Sequence, residues 1–283
     1  MNFDVIKFNF KAASLYLLGR EIGTSDFQRS YNLLASSYDD EWYKYLDVVT
    51  TEILAEIDDQ KLDYILDAGC GSGTTTLKLR KNYPDAHIVG LDFSKKMLIQ
   101  ARQKLGDNKA LLFRDRLESG LKKFKDGQFD LIVCAWSLGY ARNKEVYKEL
   151  ARILNQNGKL LIMTNKHDTL KAVQHSLKYT MCRHWNKLQK LPLHKFPKDK
   201  KSLLAKLQND FQEVKYGEGS FSIDLSDKQN IVDWLLNSGI LAGYEFVLDL
   251  RRDKMTRKTC EDYIKSNYKE VIHNYMWVLL HKK

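Results

Sequence analysis

The sequence predicts an α/β protein built on an open, doubly wound sheet. Short apolar runs alternate with amphipathic helical stretches from about residue 64 to 165, and the first run breaks into a glycine-rich turn. The runs are continuously apolar, the pattern expected of parallel strands covered on both faces.

Taken in order, residues 24–57 have helical apolar spacing with a break near SSYDDEW, giving two helices ahead of the sheet. YILDAG (64–69) is the first strand, followed by helix-like TTTLKLRKNY and then by HIVGLD (87–92). SKKMLIQARQKLG is the next helix, and KALLFRD (109–115) and QFDLIVCAW (128–136) are the third and fourth strands. NKEVYKELARILNQ is a helix with an Asn-Gly stop, and KLLIMTN (159–165) is the fifth strand. Beyond it the rhythm changes: a helix leads into a strand ending near IDLS, a mostly helical insertion occupies about 225–272, and NYMWVLLHKK closes the chain as a strand. This organisation gives an N-terminal helical cover, 1–57, and a main domain, 58–283, that carries the insertion as a lid.

Composition narrows the class. A chain of 283 residues that is 43% hydrophobic and 29% charged can bury a sizeable core. Asp4 and Lys7 interrupt the N-terminal apolar residues, so no secretory signal is expected, and the run LIVCAW is too short to span a bilayer. Cysteines 70, 134, 182 and 260 show no metal-ligand or disulfide spacing, which points to a reducing cytoplasm and no metal. The net charge of +10 is concentrated: residues 142–206 hold 16 Lys/Arg against 4 Asp/Glu, and the rest of the chain is close to neutral. Such a block is either a solvated face or a patch for an anionic partner such as RNA or phospholipid.

The chemistry centres on LDAGCGSG. Gly69, Gly71 and Gly73 sit where a strand becomes a helix, so backbone N–H groups face a ligand that approaches closely. The dinucleotide fingerprint G-x-G-x-x-G differs from the G-x-G-x-G found here, and Asp67 just before the glycines repels phosphate but suits a ligand bearing an ammonium. Asp92, at the end of the second strand, can accept from ribose hydroxyls, and Asp115, ending the third beside Arg116, can accept from an adenine amino group. Phe93 and Met97 can flank the adenine ring.

Together LDAGCGSG, LDFS, FRD, FDLIVCAWS and ELARILNQNGKLLIMTN resemble the class I S-adenosylmethionine-dependent methyltransferases, in particular the small-molecule group that includes ubiquinone/menaquinone-type enzymes. The resemblance covers residues 30–165 well and the remainder in outline. It implies a Rossmann-like seven-stranded sheet with the last strand antiparallel. It implies S-adenosylmethionine as cofactor, with S-adenosylhomocysteine as product. The glycines would wrap its methionine and ribose, Asp67 its amino end, Asp92 the ribose and Asp115 the adenine. YNLLASSYDDEW resembles the helix that closes over the cofactor, placing Tyr31 and Tyr38 near the methionine end. Many relatives carry a histidine soon after the fourth strand; here AWSLGYAR has Tyr140.

Methyl transfer from a sulfonium is a direct displacement, which needs positioning and water exclusion more than a strong base. Candidates at the methyl end are Tyr38, Asp39 and Tyr140, with Trp136 serving as cofactor packing or substrate wall. The expected acceptor is a nitrogen or oxygen of a small molecule or small natural-product peptide. RNA, motivated by the basic block, is the less favoured acceptor, and a non-catalytic cofactor-binding scaffold is the alternative from another class.

Overall fold

The computed structural model describes residues 3–58, 61–107, 110–140, 143–192, 196–207 and 210–283. The chain begins with α1 (Phe3–Leu17), α2 (Thr24–Leu34), a π-helical turn (Asp39–Tyr43) and α3 (Lys44–Leu54). The alternating region follows: β1 (Tyr64–Ala68), α4 (Thr74–Asn82), β2 (His87–Asp92), α5 (Lys95–Leu105), β3 (Leu111–Arg114), α6 (Leu117–Gly120), β4 (Phe129–Ala135), α7 (Glu145–Ile153) and β5 (Leu154–Asn165). The last part holds α8 (Lys171–Arg183), α9 (Lys200–Leu204), β6 (Phe211–Asp224), α10 (Ile231–Asn237), α11 (Lys254–Asn267) and β7 (Glu270–Lys282).

One seven-stranded sheet has the order β3-β2-β1-β4-β5-β7-β6. Strand β1 pairs in parallel with both β2 and β4, and β7 runs antiparallel to β5, from Lys159↔His281 to Asn165↔Tyr275. This is the Rossmann-like doubly wound sheet with an antiparallel last strand expected from the sequence. The order reverses at β1, so the chain leaves the carboxyl ends of β1 and β4 in opposite directions and opens a crevice there.

Burial explains the strand sequences. Ile65, Leu66, Leu131, Ile132, Leu160 and Leu161 are fully buried, as strands covered on both faces must be. Helix α5 starts at Ser94, whose Oγ accepts from the Met97 amide at 3.2 Å, and stops at Gly106 in the left-handed region. Helix α7 buries Val146, Tyr147, Leu150 and Ile153 along one face. It ends at Ile153, earlier than the sequence suggested. The Asn157-Gly158 pair read as its stop lies inside β5, because Leu154 is already paired with Phe129 across a register shift.

By contacts the chain divides into a helical unit (Met1–Trp42, Asp168–Lys195, Ser220–Asn274) and a sheet unit (Tyr43–His167, Phe196–Gly219, Tyr275–Lys283). In the helical unit α8 packs on α11, and the Ser176 hydroxyl donates to the Cys260 carbonyl at 2.8 Å. The Lys190 ammonium lies 2.7 Å from both carboxylate oxygens of Asp26, and Ser30 donates to Glu245 at 2.8 Å. Among the described residues no helix is long and apolar enough to cross a membrane.

Half of the cations of the basic block are engaged in ion pairs among the described residues. Lys148, Arg152, Lys159, Lys166, Arg183, Lys187, Lys190 and Lys200 each pair with a carboxylate. Most of the partners, among them Asp4, Asp26, Asp58, Glu218 and Asp253, come from outside the block. Much of the local charge excess is therefore matched by long-range ion pairs.

Candidate cofactor site

The ends of β1, β2 and β3 are tied side by side. The Gly69 and Cys70 amides donate to the Leu91 carbonyl at 2.7 and 3.0 Å, and the Asp115 amide donates to the Asp92 carbonyl at 3.1 Å. Asp67, Asp92 and Asp115 thus stand at the carboxyl ends of three neighbouring strands, where this sheet type binds ligands.

The three glycines all have positive φ, at 89°, 53° and 83°, but they serve different needs. A Cβ on Gly69 would lie 2.3 Å from the Cβ of Ser137, and one on Gly73 would lie 2.8 Å from the Cβ of Ala101. Both glycines are therefore required by the protein's own packing, of β1 against the segment after β4 and of α4 against α5. A Cβ on Gly71 would meet nothing within 4 Å. The sequence reading assigned all three to a ligand; at Gly69 and Gly73 internal packing is by itself a reason for glycine, and at Gly71 the space is open.

Asp67 is fully buried. Its Oδ2 accepts from Thr76 at 2.6 Å, whereas Oδ1 has no partner. Burial, reinforced by the nearby charge of Asp92, raises its pKa to about 7. Asp92 is 7% exposed; its Oδ1 accepts from the Ser94 amide at 2.7 Å and its Oδ2 from the Gly71 amide at 3.0 Å. Burial lifts its pKa to about 6, against the lowering effect of these two amides. Among the described residues neither carboxylate has a Lys or Arg ion-pair partner. Cys70, between them in the loop, is buried, which pushes its thiol well above the usual range and makes it a packing residue.

Asp115 is differently placed. It is half-buried and engaged by the Lys123 ammonium at 2.7 Å, by the Ser119 hydroxyl and by the Arg116 amide at 2.8 Å. Its pKa is lowered, its hydrogen bonds and the Lys123 charge outweighing partial burial. Arg116 itself is exposed at the start of α6. Phe93 is half-buried beside Asp92, but Met97 is 1% exposed, so it has no free surface to offer an adenine ring.

Trp136 follows β4 with φ 61°, a conformation a bulky side chain seldom adopts. Its amide donates to the Met163 carbonyl at 2.9 Å and its indole N–H to Thr50 at 3.1 Å. Its ring meets Tyr275 edge-on, with centroids 5.9 Å apart. Tyr275 in turn lies over Gly219 of β6, where a Cβ would be 2.3 Å from the phenol oxygen. Tyr43 is buried and shares a hydrogen bond of 3.0 Å with Thr75 at the start of α4.

Tyr31, Tyr38 and Asp39 are half-buried; Tyr31 and Tyr38 form an edge-on ring pair at 5.9 Å in the helical unit, and Asp39 opens the π-helical turn. Tyr140 closes the short turn Leu138–Tyr140, and its side chain lies outside the described residues. Thr76, Ser137, Thr50, Tyr43 and Tyr275 were not singled out from the sequence. Only Thr76 left a signal, as the last of the threonine run that opens α4.

Residues 65–158, which contain this loop and all three aspartates, match the model of a family described as Methyltransferase domain. A relative, the malonyl-[acyl-carrier protein] O-methyltransferase of Legionella pneumophila, is 39% identical over 116 residues, 39% of this chain and 39% of that protein. The chain thus spans well under half the length of this relative. The crystal structure of a putative methyltransferase (BH2331) from Bacillus halodurans superposes with a TM-score of 0.55 at 14% identity, covering 82% of this chain and 97% of the other. Geranyl diphosphate C-methyltransferase from Streptomyces coelicolor, solved with S-adenosylhomocysteine, gives 0.51 at 14% identity over 84% and 77%. These likenesses show that the chain shares the fold of those structures.

Proposed function

We propose that the chain binds S-adenosylmethionine at the ends of β1–β3 and transfers its methyl group to nitrogen or oxygen of a small molecule or small natural-product peptide. The reading is carried by Asp67, a fully buried carboxylate with one unpartnered oxygen at the glycine loop. An ammonium donor from the ligand would satisfy that oxygen and lower the pKa that burial has raised.

The residues fit this cofactor. The open space beside Gly71 admits a ligand against the backbone, and each oxygen of Asp92 keeps a second lone pair for a ribose hydroxyl after accepting its amide. Phe93 would contact the adenine, and Asp115 with Arg116 would accept from and border its amino edge. When bound, S-adenosylmethionine supplies a sulfonium methyl as electrophile. The protein's part is to position the acceptor in line and exclude water, work for which the fixed Trp136–Tyr275 pair supplies a rigid wall. We assign Tyr31 and Tyr38 to the methionine end, and Tyr38, Asp39 and Tyr140 to orienting the acceptor and receiving its proton. Small acceptors are also in the names of relatives: malonyl on a carrier protein and geranyl diphosphate.

The RNA alternative rested on the basic block, and the ion pairs of eight of its cations weaken it. Incubation with methyl-labelled S-adenosylmethionine and either a low-mass cell extract or total RNA separates the readings. Label in the low-mass fraction is expected; label in RNA would overturn the acceptor class. Replacing Asp92 by Ala should weaken S-adenosylhomocysteine binding by about 1–3 kcal/mol, the cost of leaving a buried donor unpaired. Unchanged affinity would remove the ribose assignment.

A further inference from the structure

Helix α1 buries Leu15 and packs against α8 and the turn Trp185–Lys187. It is fastened there by Asp4–Arg183 at 3.2 Å and by Lys7 over the Trp185 ring at 5.3 Å. Its other side, open to water, carries large apolar residues together with Asn9 and Ser14. Phe10 is 75% exposed, Tyr16 62%, Leu17 84% and Leu18 70%. Phe10, Ala13 and Leu17 stand at i, i+3 and i+7, one stripe along the helix. Folding has left this stripe uncovered among the described residues, and large adjoining apolar side chains on a surface mark an interaction site.

The charges around the stripe select its partner. The first twenty residues contain Lys7, Lys11 and Arg20 against Asp4, which is already paired with Arg183. The supporting helix α8 carries Lys171 and Lys178 besides the paired Arg183, and no acidic residue. A second copy of this chain would bring two such cationic surfaces together. RNA would engage the cations but leave Phe10, Leu17 and Leu18 in water. A helix with an apolar stripe and a basic fringe fits a surface that offers hydrocarbon beneath anionic groups. At 15 residues α1 is about 22 Å long, suited to lying in such an interface rather than crossing it.

We propose that α1 docks the protein on anionic phospholipid, with Phe10, Leu17 and Leu18 in the headgroup–acyl boundary and Lys11 and Arg20 at the lipid phosphates. Flotation of the full chain with phosphatidylcholine vesicles, with and without phosphatidylglycerol, tests this. The full chain should float with the anionic vesicles, and F10E/L17E should bind at least about tenfold more weakly. K11E/R20E keeps the stripe and should lose several-fold on anionic vesicles only, an effect that salt should mimic. Unchanged melting temperatures establish that the variants fold, as expected for side chains already in water. Equal flotation of the full chain and F10E/L17E would overturn the proposal, as would absence of binding to anionic vesicles. Light scattering that shows a dimer abolished by F10E/L17E would also overturn it, assigning the stripe to a second copy.

Discussion

The two units differ in whether their buried carboxylates have a cation beside them. In the helical unit Asp26 holds Lys190 at 2.7 Å, and Glu245 has Ser30 at 2.8 Å and Arg251 at 3.6 Å. Both carboxylates have a cation close by, although burial also raises the pKa of Glu245 and its Oε2 has no hydrogen-bond partner. In the sheet unit Asp67 and Asp92 are buried near one another, and among the described residues neither has a cation partner; burial raises both. A buried pair of like charges weakens a fold unless something compensates it. Under the proposed function, the compensation at Asp67 and Asp92 would come from a bound ligand.

Substitutions can break or sharpen that contrast. The largest expected effect is on packing: Gly69→Val drives a side chain into Ser137 at a positive φ and should destabilise by about 3 kcal/mol or more, measured by denaturant unfolding. Asp26→Ala should cost about 1–3 kcal/mol, because Lys190 loses its partner in a partly buried place. Gly71→Ala, with open space around it, should cost only about 1 kcal/mol of stability for its left-handed backbone, yet weaken cofactor binding. Asp67→Asn should be the mildest for stability, neutral or stabilising at pH 8, since it removes a buried charge.

The pH dependence follows from the same groups. Their folded pKa values lie above those of the unfolded chain, so between about pH 4 and 7 the folded state holds more protons than the unfolded state. Their contribution to stability of the ligand-free protein therefore declines as pH rises through that window. Asp67→Asn should flatten that slope.

The sheet was legible because each parallel strand is a short apolar run and each turn carries its own chemistry: YILDAG, HIVGLD and QFDLIVCAW became β1, β2 and β4 within a residue or two. Helix α1 was read only as part of the helical cover 1–57, without bounds of its own; the ion pair to Arg183 and the stacking on Trp185 that accommodate Asp4 and Lys7 come from far along the chain. The glycine loop and Asp67 were visible in one continuous stretch. What was hidden is long-range: that Ser137 dictates Gly69, that Thr76 holds one oxygen of Asp67, and that Trp136 is fixed by Thr50 and Tyr275. Local pattern locates a loop but not the distant residues packed against it.

Calorimetric titration with S-adenosylhomocysteine between pH 6 and 8 bears most directly on Asp67 as the ammonium acceptor. Affinity should weaken by up to about tenfold per pH unit below 7 as Asp67 takes up a proton, and Asp67→Asn should bind weakly with a flattened profile. Absence of binding, or equal affinity and equal pH dependence in both proteins, would contradict the assignment.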